Sequence, residues 1–199
     1  LTRFDMKRKS LELLTSQYQE MDVNGTVSWK QIRYANSVAI GPKSGKIYLT
    51  TSSEIAPDRV VQKKKNEMLE YIWDTLHGSK MVLASGKPTG YLLQYDPVSK
   101  TTRVLADGIF FANGISMQKD EEFIIVSESL GTNVLKFDLT PDIRKGHEPL
   151  SPTEYIQRKA LLSGKDLPGY TDNADCVYDG QQSTPICYVA IISEFDGPH

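Results

Sequence analysis

The sequence predicts an all-β fold of the propeller type, in which short antiparallel strands form repeated sheets around a central channel. Apolar segments of strand length recur about every ten residues, separated by turn signals such as Gly41-Pro42 and Asp96-Pro97. This spacing is typical of a sandwich, a barrel or a propeller. A motif that recurs along the chain favours the propeller, because propellers are built from repeated sheets.

The predicted strands are short and rich in Val, Ile, Leu, Tyr and Phe, which pack well on a pleated, half-buried surface. They are Leu11–Leu14, Val38–Ile40, Ile47–Thr50, Leu92–Tyr95, Thr102–Leu105, Phe123–Ser127, Val134–Phe137, Ala174–Tyr178 and Ile186–Ile192. Turn-forming residues follow most of them, so we expect antiparallel neighbours joined by tight connections.

One segment, from Asp58 to His77, has helical rather than strand periodicity. The apolar residues that recur there at three- and four-residue steps are Val61, Met68, Leu69, Ile72 and Leu76. Asp58 can cap the start of this helix and Gly78 can end it. We therefore expect one helical insertion near residues 58–77 within an otherwise all-β chain.

The internal repeat combines an aromatic-Asp pair that closes a strand with an Asn in a turn of small residues further along. The aromatic-Asp pairs are Phe4-Asp5, Tyr95-Asp96 and Phe137-Asp138, and the Asn residues are Asn36, Asn113 and Asn173. The pairs at positions 95 and 137 are 42 residues apart, which suits a four-stranded propeller blade.

A propeller gives these Asn residues a common location, because the innermost strand of every blade lines the channel. Side chains at equivalent positions would then converge on the axis, with Asp172 adding a carboxylate beside Asn173. Amide and carboxylate oxygens are the ligands that Ca²⁺ prefers. The alternative is that each Asn only supports a tight turn. Their recurrence in register across three repeats favours the channel site.

Composition excludes several classes of function. The chain has 199 residues with 23 Lys and Arg against 25 Asp and Glu, and its pI of about 6.0 gives no reason to expect nucleic acid as a partner. Two Cys are too few for a cysteine zinc cluster, and no phosphate-binding Gly-rich loop or serine-hydrolase elbow is present. The chain starts at Leu1 without a visible signal peptide, so we expect a fragment of a longer protein.

Cys176 and Cys187 are placed symmetrically about Gln181-Gln182. If the two flanking strands form a hairpin, the cysteines could face each other and form a cross-strand disulfide, which would indicate an oxidising compartment. Two buried thiols are the alternative. The sequence leaves both possibilities open.

Five segments resemble the strictosidine synthase-like family, which includes the adipocyte plasma membrane-associated protein and is related to the paraoxonases. They are Ile32–Val38, Gly45–Thr50, Pro88–Pro97, Phe111–Ile115 and Leu167–Asn173. The resemblance implies a six-bladed β-propeller, of which residues 1–199 would form a partial domain of about four blades without the first and last. It also implies that the helical insertion is a lid over the channel mouth.

The resemblance further implies a catalytic Ca²⁺ at the top of the channel. Its ligands here would be Asn36, Asn113, Asp172 and Asn173, with a further Glu that the family supplies from the first blade. The substrate pocket would be lined by Tyr34, Phe111, Thr51, Ser52 and Trp73. Relatives usually carry Asp where Thr51 stands.

The activity implied is Ca²⁺-dependent hydrolysis of a small-molecule ester or lactone, as in arylesterases and lactonases. Glu128 could face the channel as a general base, or it could serve a structural role. The alternatives are a catalytically inactive propeller that binds a protein partner as a scaffold, and a synthase that condenses an amine with an aldehyde. The resemblance also implies an endomembrane or secreted location, with possible membrane association through a segment outside this chain.

Overall fold

The computed structural model describes residues 1–22, 24–63, 69–139, 158–177 and 185–193, and within these ranges it is mostly β-sheet with one helix. The first eight strands are β1 (Thr2–Asp5), β2 (Ser10–Leu13), β3 (Gln17–Met21), β4 (Val27–Gln31), β5 (Ala35–Ile40), β6 (Ile47–Thr51), β7 (Asp58–Lys63) and β8 (Leu69–Asp74). Helix α1 (Thr75–Ser85) follows, and then β9 (Gly90–Asp96), β10 (Thr101–Ile109), β11 (Ala112–Met117), β12 (Phe123–Glu128), β13 (Asn133–Asp138), β14 (Arg158–Leu162), β15 (Gly169–Val177) and β16 (Ile186–Ser193).

The described residues form five sheets. One, the hairpin β7-β8, lies in the chain between strands of the six-stranded sheet, and the other four follow one another along the chain, as the propeller prediction requires. They are the hairpin β1-β2, a six-stranded sheet in the order β4-β3-β10-β9-β6-β5, a four-stranded sheet in the order β11-β12-β13-β14, and the hairpin β15-β16. Strand β11, at the edge of the four-stranded sheet, contacts β5, an edge strand of the six-stranded sheet, and also contacts β15 of the last hairpin. These three strands therefore occupy the position of inner propeller strands.

The main hydrophobic core lies between the six-stranded and four-stranded sheets. Large side chains from both sheets are fully buried there, including Tyr48, Leu92, Ile124 and Phe137. The burial of these residues follows their predicted strands, so the apolar segments of the sequence do form the interface between blades.

The aromatic-Asp repeat is confirmed at the ends of β1, β9 and β13. The Asp96 carboxylate accepts a hydrogen bond from the backbone N–H of Val98 at 2.8 Å, which forms the turn into β10, and it also pairs with Lys46 Nζ. Burial alone would raise the pKa of Asp96, but the hydrogen bonds from Lys46 and Val98 lower it below its usual value. At Asp96, the motif therefore stabilises the turn after its strand and also forms an ion pair with Lys46, just before β6.

The predicted helix near residues 58–77 is wrong in position. Its first part forms the antiparallel hairpin β7-β8, and the helix begins only at Thr75. The adjacent β-branched and aromatic residues of this segment favour strand over helix, and this preference outweighs the apolar periodicity. Asp74 is the N-cap, accepting from the His77 N–H at 2.8 Å, and Gly86, with a φ of 60°, ends the helix.

The sequence did not predict several strands, because their residues are poorly buried or their apolar segments are interrupted. Strand β3 joins the sheet in parallel to β10, through the pair Arg103 and Gln19, and carries β4 at its outer edge. Sequence-local patterns do not predict this addition, because the pairing depends on a contact between distant parts of the chain.

Ser127, on β12, has a fully buried hydroxyl whose Oγ has no hydrogen-bond partner among the described residues. Burying an unsatisfied hydroxyl costs free energy, so Ser127→Ala is expected to raise the free energy of unfolding by about 1 kcal/mol. Ser116→Ala is the matched control, because the buried Ser116 Oγ accepts from the Cys176 N–H at 3.0 Å and its loss is expected to destabilise. Denaturant unfolding of both variants tests this, and a destabilised Ser127→Ala would contradict it.

Cys176 and Cys187 are directly opposite each other in β15 and β16 and form a disulfide, with their Cα atoms 4.0 Å apart. The bond closes a short loop between residues 11 positions apart. Replacing both cysteines by Ala is expected to lower the free energy of unfolding by about 3 kcal/mol, because the disulfide closes a loop of this size and so reduces the conformational entropy of the unfolded chain. Equal thermal midpoints for this double variant and the oxidised parent would show that the hairpin needs no cross-link.

Candidate functional site

The three inner strands β5, β11 and β15 carry the same irregularity at the same point. In each, the pairing with the next strand shifts over two residues, which is the signature of a β-bulge. The bulged residues are Asn36-Ser37 in β5, Asn113-Gly114 in β11 and Asp172-Asn173 in β15. Because bulges re-aim side chains at strand ends and are common beside active sites, this repeated feature marks the candidate site.

The strand register corrects one equivalence that the sequence suggests. The residues just before the three bulges are Ala35, Ala112 and Thr171. Asp172 therefore occupies the position of Asn36 and Asn113, whereas Asn173 is equivalent to Ser37 and Gly114. The position that carries an Asn amide in the first two repeats thus carries the Asp172 carboxylate in the third.

Two serines connect the repeats through a series of hydrogen bonds that we call the Asn–Ser relay, made of Asn36, Ser52, Asn113 and Ser129. In its first half, Asn36 Nδ2 donates to Ser52 Oγ at 2.9 Å, and Ser52 Oγ donates to the Ala112 carbonyl at 2.9 Å. In its second half, Asn113 Nδ2 donates to Ser129 Oγ at 3.0 Å, and Ser129 Oγ donates to the Thr171 carbonyl. Each serine therefore ties one inner strand to the next at the level of the bulges.

Contacts to the backbone of the bulges also hold the three inner strands together. Thr50 Oγ1 accepts from the Ser37 N–H at 3.1 Å and donates to the Asn113 carbonyl at 2.6 Å. A Cβ atom on Gly114 would lie 2.5 Å from the Asn173 Cα and 2.7 Å from the Asp172 carbonyl oxygen. The absence of a side chain at Gly114 is what allows β11 and β15 to approach so closely.

The four predicted metal ligands are therefore on adjoining strands, but they differ in exposure. Asn113 is buried, with 8% of its surface exposed, Asp172 is half-buried, and Asn36 and Asn173 are exposed. Within the described ranges no group of three or more His, Cys, Asp or Glu could hold a metal. The donor set at the bulges is thus one carboxylate with amide oxygens, a chemistry that suits a hard cation.

The predicted pocket residues Tyr34 and Phe111 lie two positions before Asn36 and Asn113. Their rings pack edge to face, with centroids 5.4 Å apart, and they form one buried hydrophobic cluster with Val82 of helix α1. The Tyr34 hydroxyl donates to the Thr75 carbonyl at 2.9 Å, and burial, followed by the nearby Asp74 carboxylate, raises the pKa of the Tyr34 phenol. The helix thus rests on an aromatic layer beside the bulges.

The other predicted pocket residues are placed differently. The side chains of Thr51 and Ser52 are buried, with 3% and 0% exposed, and Ser52 belongs to the relay. The side chain of Trp73 lies outside the described residues, although its backbone is part of β8.

Glu128, the candidate base, is buried at the end of β12 with 2% of its surface exposed. One carboxylate oxygen accepts from the Phe110 N–H at 2.8 Å, and the other accepts from Asn133 Nδ2. This geometry fits the structural alternative, in which the carboxylate holds the β12-β13 turn against the segment that leads into β11.

The structure also shows features that the sequence interpretation missed. Ser129 was overlooked, although the 16-residue spacing from Asn113 repeats the spacing from Asn36 to Ser52 and could have revealed it. A cleft of about 830 Å³ between the β3-β4 hairpin and the end of α1 was also missed. Glu54, one of its lining residues, accepts a hydrogen bond from the Tyr91 hydroxyl at 2.6 Å, and burial, with this hydrogen bond, raises the pKa of Tyr91. No local motif predicts that cleft.

The fold and the repeated bulges define the class of protein: a propeller-type all-β chain with a candidate oxygen-donor site where its inner strands meet. Residues 73–140 match the family model described as strictosidine synthase. The match covers about a third of the chain and shows similarity to that family.

Individual relatives match most of this chain. The strictosidine synthase-like protein 13 of Arabidopsis thaliana is 28% identical over 155 residues, which cover 78% of this chain and 30% of that protein. The adipocyte plasma membrane-associated protein of Rattus norvegicus is 25% identical over 167 residues, which cover 84% of this chain and 35% of that protein. The chain thus spans about a third of the length of these relatives.

Among solved structures, a luciferin-regenerating enzyme aligns with 96% of this chain and 67% of its own, at 12% identity and a TM-score of 0.40. Within the described part of the chain, no helix combines the length and apolarity needed to cross a membrane.

Proposed function

We propose that the protein is a Ca²⁺-dependent hydrolase of small-molecule esters or lactones, with arylesterase- or lactonase-like activity. The observation that supports this most is the repeated bulge, because it places Asn36, Asn113 and Asp172 at equivalent positions of three adjoining inner strands. Hard oxygen donors from separate sheets at one level are a suitable arrangement for Ca²⁺.

The side chains at the bulges carry amide and carboxylate oxygens, which are the donor atoms that Ca²⁺ prefers. Asn36, Asn113 and Asp172 would hold it from equivalent positions, with Asn173, the fourth predicted ligand, in the adjacent position. The resemblance adds a Glu from another blade to the single carboxylate of this set. When bound, Ca²⁺ supplies a Lewis acid that polarises an ester or lactone carbonyl and stabilises the oxyanion. The close approach of β11 and β15 at Gly114 supports this assignment, because it brings the backbone beside Asn113 against that of Asp172.

The chain's own aromatic residues would shape the substrate side of the site. Tyr34 and Phe111 are packed against each other and under helix α1, so they offer an apolar wall next to the bulges. The raised pKa of Tyr34 keeps its phenol neutral, and its hydroxyl is engaged by the Thr75 carbonyl. Tyr34 therefore contributes surface and water exclusion rather than a proton.

A catalytically inactive scaffold that binds a protein partner is the second candidate, and Glu128 is the observation that favours it. Both Glu128 oxygens accept hydrogen bonds from Phe110 and Asn133, which leaves the candidate base in a structural role. A base from another part of the protein would restore the hydrolase interpretation.

Calorimetric Ca²⁺ titration, together with assays on phenyl acetate and on an aliphatic lactone with and without EGTA, tests the proposal. We expect Ca²⁺ binding, and turnover that EGTA removes and added Ca²⁺ restores. Ca²⁺ binding without turnover on either substrate would support the scaffold. Absence of Ca²⁺ binding in the protein would reject the hydrolase proposal.

We also propose that the protein works in the endomembrane system or outside the cell. The disulfide between Cys176 and Cys187 supports an oxidising compartment, and one relative is named for its association with the plasma membrane. Thiol alkylation in cells before lysis tests this proposal, since fully alkylated cysteines in the native protein would contradict it.

A further inference from the structure

We infer that Ser52 and Ser129 are positioning residues that determine which atom of the Asn36 and Asn113 amides is presented to a cation. This inference rests on the Ca²⁺ site of the proposed function. An Asn side chain can turn over so that Oδ1 and Nδ2 exchange places, and only Oδ1 can bind a cation. A site built from amides therefore needs a device that distinguishes the two orientations.

The hydroxyl groups of the two serines supply that device. A serine hydroxyl has one proton to donate, and here the proton is committed to a backbone carbonyl: Ala112 for Ser52 and Thr171 for Ser129. Each Oγ can then only accept a hydrogen bond from the neighbouring Asn. The amide group that faces the serine must be Nδ2, at 2.9 Å for Asn36 and 3.0 Å for Asn113. This leaves Oδ1 as the atom turned away from the serine.

The third repeat provides an internal comparison. Ser52 and Ser129 lie opposite the aromatic residues Tyr34 and Phe111, to whose carbonyls their N–H groups donate. The residue opposite Tyr170, the equivalent aromatic in β15, is Ile192, which has no hydroxyl. The bulge there carries Asp172, whose two carboxylate oxygens are equivalent and need no orientation. The serine is thus present beside both amides and absent beside the carboxylate.

The same bonds make the relay continuous from sheet to sheet. The carbonyls that receive the serine protons belong to Ala112 and Thr171, the residues immediately before Asn113 and Asp172. Each serine therefore orients one candidate ligand and anchors the backbone of the next. Loss of partners that orient metal ligands typically lowers metal affinity by about 10–100-fold.

Ser129→Ala is the central test, with the Ca²⁺ dissociation constant measured by calorimetry. We expect the affinity to fall by about 10–100-fold, and Ser129→Thr, which keeps the hydroxyl, to restore most of it. Ser116→Ala is the matched control, since Ser116 is another buried serine that connects β11 to β15, and its Oγ accepts from the backbone N–H of Cys176 rather than from an Asn amide. The Ca²⁺ affinity of Ser116→Ala should equal that of the parent. An unchanged affinity for Ser129→Ala would overturn the inference.

A change of ligand separates orientation from general structural support. In an Asn113→Asp background the side chain has two equivalent oxygens, so Ser129→Ala should there cost less than threefold in Ca²⁺ affinity. A loss as large as in the Asn113 background would mean that Ser129 acts only by supporting the fold. If Ser129→Ala does not fold, Ser52→Ala provides the same comparison at the exposed Asn36.

A readout without metal distinguishes failure of this inference from failure of the proposed function. The side-chain NH₂ signals of Asn113 in a ¹⁵N–¹H spectrum should show slow hydrogen exchange and should exchange faster in Ser129→Ala. If the protein binds no Ca²⁺ but this protection is present, the proposed function fails and the orienting role of Ser129 stands. Exchange in the parent as fast as for an exposed Asn would overturn the orienting role itself.

Discussion

Asp172→Asn is expected to lower the Ca²⁺ affinity by about 100-fold or more, the largest effect expected from replacing any candidate ligand. Asp172 is the one carboxylate at the three bulges, and Ca²⁺ affinity depends strongly on the number of charged ligands. The change keeps the size and shape of the side chain, so it removes charge while the backbone bulge is preserved. Calorimetric titration of Ca²⁺ into the folded variant measures the loss.

Two comparisons make the Asp172 prediction specific. Asp175→Asn removes an exposed carboxylate three positions further along the same strand, so it controls for the general loss of negative charge and should leave the affinity within about twofold. Asn173→Ala tests the register, which places Asn173 beside the ligand position rather than at it, and it should cost far less than Asp172→Asn. A larger loss at Asn173 would instead favour the equivalence suggested by the sequence alone.

Gly114→Ala is expected to lower the free energy of unfolding by about 2–3 kcal/mol and to abolish measurable Ca²⁺ binding as well. The added Cβ would lie 2.5 Å from the Ala174 nitrogen and 2.5 Å from the Asn173 Cα. Both are backbone atoms, which cannot rotate away as a side chain can. Strand β15 must therefore move away from β11 at the point where Asn113 and Asp172 meet.

Ser37→Ala is the matched control for Gly114→Ala. Ser37 occupies the same place in the bulge of β5, where a Cβ is already accommodated, so this change adds no atom. We expect near-parental stability by denaturant unfolding and near-parental Ca²⁺ affinity. If Gly114→Ala were as stable as Ser37→Ala, the close approach of β11 and β15 would not matter for the fold or the site.

The effects of these substitutions follow from one architectural fact. The candidate ligands are attached to separate sheets, so their mutual placement depends on the contacts between inner strands. The contacts nearest the bulges include the relay hydroxyls of Ser52 and Ser129, the hydroxyl of Thr50, and the close approach at Gly114. A small change in any of them is transmitted to the site because packed sheets have little room to adjust.

Much of the fold could be predicted because its signals are local. The aromatic-Asp turns, the apolar strands and the recurring Asn each depend on residues that are neighbours in the chain. The segment from Asp58 to His77 shows where such signals conflict, since its apolar spacing fits a helix while its β-branched and aromatic residues form β7 and β8. Periodicity alone could not decide between the two.

The sequence by itself determined the class of fold, the repeated placement of Asn36 and Asn113, and the kind of ligand atoms that the site can offer. The tertiary structure decided that Asp172 rather than Asn173 is their equivalent, that the Asn113 amide donates to Ser129, and that β3 joins the sheet beside β10. Strand propensity and turn chemistry act over a few residues and are visible in any sequence. Register across sheets and hydrogen bonds between blades join residues tens of positions apart, and only the packed backbone brings them into contact.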